Sequence, residues 1–120
     1  MADVVALMDD LFFQAKVMET AKHLGLNLRI CGTPDAFLGE IGQQAPGLIV
    51  VDLNARSEPL SAIERLPANA REIPMVAFLS HVQTELAAKA RAAGCREVMP
   101  RSQFTQNLAT ILARAKSHPS

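Results

Sequence analysis

Neither tryptophan nor tyrosine occurs in the 120 residues, so neither ring is available to stack on a flavin. Glycine is sparse, and its six positions match neither a GxGxxG nor a P-loop pattern, which leaves no phosphate-cradling loop of either kind. A small cofactor-binding protein or enzyme is therefore the weakest functional reading of the sequence. The only cysteines, Cys31 and Cys95, share no CxxC or metal-ligand spacing and read as small, semi-buried residues. Excess charge of one sign is also missing: 12 Lys and Arg balance 12 Asp and Glu, so no basic field attracts nucleic acid or anionic lipid. The longest apolar runs, Leu48 to Val51 and Met75 to Leu79, fall far short of a membrane span. The chain opens Met-Ala-Asp and runs straight into apolar residues, with no basic leader or small-residue cleavage site. A cytoplasmic protein that binds neither nucleic acid nor membrane is expected.

What is present is a hydrophobic content of 49%, enough for a full core without staples. The length suits one compact domain spanning residues 1–120. Short apolar runs alternate five times with stretches of helical period. Val4 to Met8 has the length of a strand, and Phe13, Val17, Ala21 and Leu24 then line one helix face until Gly25 stops it. Asn27 to Cys31 alternates polar and apolar, as a strand near a sheet edge does. Thr33-Pro34 supplies an N-cap and a first-turn proline for a helix through about Gln44, with Phe37 and Ile41 on its core side. Leu48-Ile49-Val50-Val51 is the most hydrophobic strand and belongs at the sheet centre, ending on Asp52. Beyond a polar loop from Leu53 to Pro59, Leu60, Ile63 and Leu66 predict a short third helix. Met75 to Leu79 gives a fourth strand, and Leu86, Ala90 and Ala93 a fourth helix closed by Gly94. Glu97 to Met99 is a brief fifth strand, and Leu108, Ile111, Leu112 and Ala115 mark the last helix.

Strand–helix alternation with almost no hairpin signals predicts an α/β fold with a parallel sheet covered on both faces. Five units match the flavodoxin-like (βα)5 arrangement, doubly wound with strand order 2-1-3-4-5. That order sets the ends of strands 1 and 3 side by side, where ligands bind. It also sends Cys31 and Cys95 toward opposite edges, too far apart for a disulfide.

Asp9 and Asp10 follow strand 1 and Asp52 follows strand 3, so topology carries three carboxylates to one rim. Like charges 4 Å apart repel by about 4 kcal/mol at an effective dielectric near 20, so the rim wants a counter-charge. Magnesium answers it, taking one or two protein carboxylates and keeping several waters, with the Asn54 backbone carbonyl as a further ligand. As single residues, Asp9 or Asp10 would pass for helix-capping acids, and Asp52 for an ordinary sheet-end acid.

With the Asp9-Asp10 pair after a hydrophobic strand, Asp52 within Leu48-Ile49-Val50-Val51-Asp52-Leu53-Asn54, and Arg101 after strand 5, the chain resembles a response-regulator receiver domain over its whole length. The resemblance implies a stand-alone phosphorelay signalling module rather than an enzyme. Asp52 would accept a phosphoryl group from a sensor histidine kinase, a phosphotransfer protein or a small phosphodonor. Asp9 or Asp10, Asp52 and Asn54 would hold Mg2+, and Ser80 and Arg101 would donate hydrogen bonds to the phosphoryl oxygens. A downstream protein partner would read the change, and a homodimer is compatible with it.

Departures from the family pattern sit beside the matches. Receivers usually carry lysine at Arg101 and proline at Ser102; arginine keeps the charge but presents a planar fork. Counting from Pro74 places the expected hydroxyl at Leu79, and Ser80, one residue on, is taken in its place. Val98 stands where many receivers carry an aromatic switch, and Ala55-Arg56-Ser57-Glu58 replaces the usual Met-Pro and Gly of the loop. These changes favour a rival class, an atypical pseudo-receiver that docks proteins without phosphorylation and pairs Arg101 with Asp52 structurally. His81, beside Ser80, is a candidate acid–base group. His23 and His118 read as surface residues. Phe13 fits the core stripe, while Phe12 points to solvent as a partner contact.

Overall fold

Five short apolar segments become the strands of one parallel sheet: β1 (Val4–Leu7), β2 (Leu28–Cys31), β3 (Leu48–Asp52), β4 (Met75–Leu79) and β5 (Glu97–Pro100). Their order is β2-β1-β3-β4-β5, the flavodoxin-like arrangement expected from the alternation. The computed structural model describes residues 2–80 and 83–116. β3 is buried at all five positions, as its unbroken hydrophobicity requires of a central strand. β2 and β5 form the edges, and β5 runs one residue further than its apolar pattern, to Pro100. An edge strand tolerates a proline because it need not donate on its outer side.

Side chains alternate between faces along each strand, which splits the core in two. Val4, Ala6, Leu48, Val50, Val76 and Phe78 face one layer, whose helices are α1 (Leu11–His23), α5 (Arg101–Gln106) and α6 (Leu108–Ala113). Val5, Leu7, Ile49, Val51, Ala77 and Leu79 face the other, with α2 (Pro34–Gln43), α3 (Pro59–Glu64) and α4 (Thr84–Ala92).

The helix ends follow local chemistry. Thr33 caps α2 by accepting from the Ala36 N–H, and Pro34 opens it. Gly25 follows α1 at φ +69, a left-handed position that glycine reaches without a Cβ penalty.

Several local expectations are corrected. Leu24 lies beyond the buried stripe Phe13, Val17 and Ala21, serving as the C-cap of α1 and staying 37% exposed. Leu66 is buried, but past the end of α3. Leu53 and Ala55, assigned to a polar loop, are buried. The expected last helix is α6, with Ala115 in the turn just past its end, and a further helix, α5, begins directly after β5 and is separated from α6 by Asn107. The Asn107 side-chain amide donates to the Gln103 carbonyl, a local bond of the kind that competes with regular helix. Short 3-10 turns at Ala68–Glu72 and Arg114–Lys116 complete the chain. Cys31 and Cys95 are both buried and free, as expected. Burial pushes both thiols up, Cys95 to about 11, which leaves them protonated and inert.

Candidate functional site

Strand register assembles the site. Leu7 of β1 pairs with Val51 of β3, so Asp9 and Asp10 lie just past the level of Asp52 at the carboxyl edge of the sheet. Asp52 shares strand parity with Leu48 and Val50, which aims it at the α1 and α5 layer. It is the one buried charged residue among those described, at 2% exposure.

Each acid has a distinct set of partners. Asp52 Oδ1 accepts from the Asn54 backbone N–H at 2.9 Å. Asp10 is the N-cap of α1, its Oδ1 accepting from the Phe12 and Phe13 N–H groups at 3.0 and 3.2 Å. Asp9 Oδ2 accepts from the Arg56 N–H at 2.9 Å, which ties the loop after β3 to the end of β1.

Arg101, the first residue of α5, joins two of them. Its Nη1 lies 3.1 Å from Asp10 Oδ2 and its Nη2 3.4 Å from Asp52 Oδ2. The guanidinium also sits over aromatic faces, 4.7 Å from the Phe13 ring and 5.5 Å from the Phe78 ring. Those rings are themselves packed: Phe13 meets Phe78 edge-on at 5.2 Å, and Phe78 stacks on Phe104 at 4.5 Å. Arg101 Nε is buried with no partner among the described residues.

The two carboxylates that Arg101 touches differ in acidity. Burial pushes the Asp52 carboxyl up; the Asn54 N–H and Arg101 pull it down, and the charges of Asp9 and Asp10 add to the rise. Asp10 goes the other way, held below the usual range first by the Phe13 N–H and then by Arg101. The influence of both first-strand acids on Asp52 is the electrical signature of their convergence.

Ser80 follows the last residue of β4, is exposed, and donates its backbone N–H to Asn54 Oδ1. Its hydroxyl makes no bond to Asp52. The Asn54 side chain donates in turn to Gln83 Oε1 at 2.9 Å, so it links the loops after β3 and β4. Sequence reasoning used the Asn54 backbone and missed this bridge, along with Gln83 and the ring pair beneath Arg101. Each depends on contacts between distant segments that no local pattern announces. Phe12 is 91% exposed, as expected, and His23 is also exposed. His81 and His118 lie outside the described residues.

Among the described residues, no three His, Cys, Asp or Glu side chains stand together closely enough to hold one metal. Asp10 has both oxygens engaged, by the helix N-terminus and by Arg101. Asp52 is engaged likewise, by the Asn54 N–H and by Arg101; with Asp9 and the Asn54 carbonyl these acids make up a small, all-oxygen set of the kind magnesium accepts. Three carboxylates against one guanidinium leave net negative charge, so the chemistry fits a hard divalent cation.

No protein-family model matches the sequence, and no curated protein matches it. Solved structures do match. The receiver domain of NtrX from Brucella abortus superposes with TM-score 0.78 at 22% identity, covering 94% of this chain and 97% of that one. A response regulator from Hahella chejuensis gives TM-score 0.80 at 18% identity, with 100% and 98% covered. The phosphorylated cyanobacterial phytochrome response regulator RcpA gives 0.83 at 12% identity, with 99% and 96% covered. Against a longer NtrX chain crystallised with ADP, this protein spans only 26% of the length. The fold is that of response-regulator receiver domains. Among the described residues no helix is long and apolar enough to cross a membrane.

Proposed function

We propose that residues 1–120 act as a receiver in phosphorelay signalling, with Asp52 as the phosphoacceptor. The observation that carries this reading is the placement of Asp52: buried at the end of the central strand, facing Asp9, Asp10 and Arg101. In the reaction, an Asp52 carboxylate oxygen attacks phosphorus. The bond from phosphorus to a histidine nitrogen or an acyl oxygen breaks, and the donor leaves with that electron pair. Phosphoryl transfer asks the protein mainly to position and to stabilise charge. Burial, by raising the carboxyl, works against the ionised nucleophile, and Arg101 and the Asn54 N–H offset that cost. Arg101 also offers donors to the transferred group, and Ser80 offers a hydroxyl beside it. Magnesium, held by Asp9 or Asp10, Asp52 and the Asn54 carbonyl, would neutralise the phosphoryl oxygens. The donor is a sensor histidine kinase or phosphotransfer protein, and a downstream protein reads the added charge as a population shift.

The experiment is incubation with Mg2+ and acetyl phosphate, or with beryllofluoride. An intact-mass phosphoryl adduct that disappears in Asp52→Asn, and NMR shifts centred on Asp52, are expected. Absence of both removes the reading.

A second reading has its own support. Arg101 already bridges Asp10 and Asp52, and the Ser80 hydroxyl makes no bond to Asp52. Both suit a pseudo-receiver that docks partners without phosphate. Under that reading, signalling in cells survives Asp52→Asn.

A further inference from the structure

Resting on the receiver reading above, we propose that Arg56 selects the phosphodonor. Its guanidinium neutralises the carboxylate that departs from an acyl phosphate, so the site favours acyl phosphates over donors whose leaving group is uncharged.

Arg56 is held at the mouth of the site by its backbone. Its N–H donates to Asp9 Oδ2 at 2.9 Å, and the buried Ala55 before it donates its N–H to the Asp52 carbonyl at 3.1 Å. The loop is thus fastened on both sides, to the end of β1 and to the end of β3. The side chain, by contrast, is uncommitted. Arg56 is exposed, and its guanidinium makes no hydrogen bond, ion pair or ring contact among the described residues.

The two guanidiniums therefore divide the reaction. Arg101 lies inside, committed to Asp10 and Asp52 over the Phe13 and Phe78 rings, and meets the group that is transferred. In phosphoryl transfer the attacking and leaving atoms lie roughly in line through phosphorus. Asp52 is 2% exposed, so the leaving group departs outward, toward the mouth where Asp9 and the Arg56 loop lie.

The charge on that leaving group depends on the donor. When an Asp52 oxygen attacks acetyl phosphate, a new P–O bond forms and the bond from phosphorus to the acyl oxygen breaks. Acetate leaves with the electron pair and a full negative charge, which the Asp9 carboxylate repels. When the donor is phosphoramidate, protonated on nitrogen, the P–N bond breaks and ammonia leaves with the pair, uncharged. A protonated phosphohistidine behaves alike and releases neutral imidazole. A cation at the mouth lowers the barrier only where charge develops in the transition state. The planar fork of arginine also matches a carboxylate in shape.

The test is the initial rate of phosphoryl adduct formation on the full chain, followed by intact mass, with Mg2+ and either acetyl phosphate or phosphoramidate. Arg56→Gln is expected to react about tenfold more slowly than wild type with acetyl phosphate, a smaller loss than for a buried oxyanion donor because the side chain is exposed. With phosphoramidate it is expected to stay within about twofold of wild type. Arg56→Lys is expected to recover part of the acetyl phosphate rate, since it restores the charge without the fork. Arg96→Gln, before β5 at the opposite edge of the sheet, controls for net charge and is expected to match wild type with both donors. Equal losses with both donors, no loss with either, or the same selective loss in Arg96→Gln overturns the inference and leaves Asp52 standing as phosphoacceptor. No adduct on wild type from either donor removes the receiver reading and the inference together.

Discussion

Arg101 Nη2 and Asp52 Oδ2 meet at 3.4 Å although 49 residues separate them in the chain. The pair joins the central strand to the first turn of α5, and Asp10 enters the same contact from the start of α1. A single side chain thereby ties three elements at the edge where the sheet ends. Its partners respond differently to that contact, because one is buried and the other caps a helix.

That difference makes stability depend on pH in opposite directions at the two acids. The folded-state carboxyl of Asp52 is raised, mainly by burial, so the native state binds its proton more tightly than the unfolded chain does. Its ionisation therefore costs stability as pH rises through the folded value, and the cost fades as pH falls back toward the unfolded value of 3.8. Asp10 is lowered, so its contribution is present above 3.8 and is lost as pH falls through the depressed folded value. Asp52→Asn should be more stable than wild type at neutral pH, with the gap closing on acidification. Asp10→Ala should lose about 1 kcal/mol at neutral pH, as removal of an N-cap does. Urea midpoints at several pH values check both; an Asp52→Asn gap that widens toward acid would contradict the assignment.

Neighbouring phenylalanines at the start of α1 should behave as opposites. Phe13 is 8% exposed and packs against two rings, so Phe13→Ala should cost about 3–5 kcal/mol. Phe12 is 91% exposed, and Phe12→Ser should stay within about 0.5 kcal/mol of wild type. Denaturant unfolding of the two variants decides it, and comparable losses would mean that Phe12 is covered in solution.

Gly47 is needed for space. A Cβ there would run into the Ala115 backbone carbonyl at the far end of the chain, while the Gly47 N–H donates to the Asp3 carbonyl. Gly47→Ala should destabilise by about 1–3 kcal/mol, as overpacking does. Amide exchange in the Arg114–Lys116 turn should accelerate with it; unchanged protection there would show that the turn shifts without strain.

Much of the fold was written in local pattern. The unbroken Leu48 to Val51 run could satisfy itself only at the sheet centre, and Thr33-Pro34 could only open a helix. The alternation of elements pointed to a doubly wound parallel sheet, and the observed order carries Asp9, Asp10 and Asp52 to one edge. Leu24, Leu66 and Ala115 fall past the ends of the helices they were assigned to, because periodicity marks a face but not where a helix stops.

The sequence by itself determined that Asp9, Asp10 and Asp52 each end a buried parallel strand at its carboxyl edge, since strand limits and side-chain parity follow from hydrophobic spacing along the chain. Only the tertiary structure decided how those acids are used: Asp10 as a cap, Asp9 as a loop tether, and Arg101 spanning Asp10 and Asp52 over two rings. Spacing encodes the direction a residue faces, whereas a hydrogen bond depends on register between segments far apart in the chain. That register exists only once the strands have paired and the helices have packed.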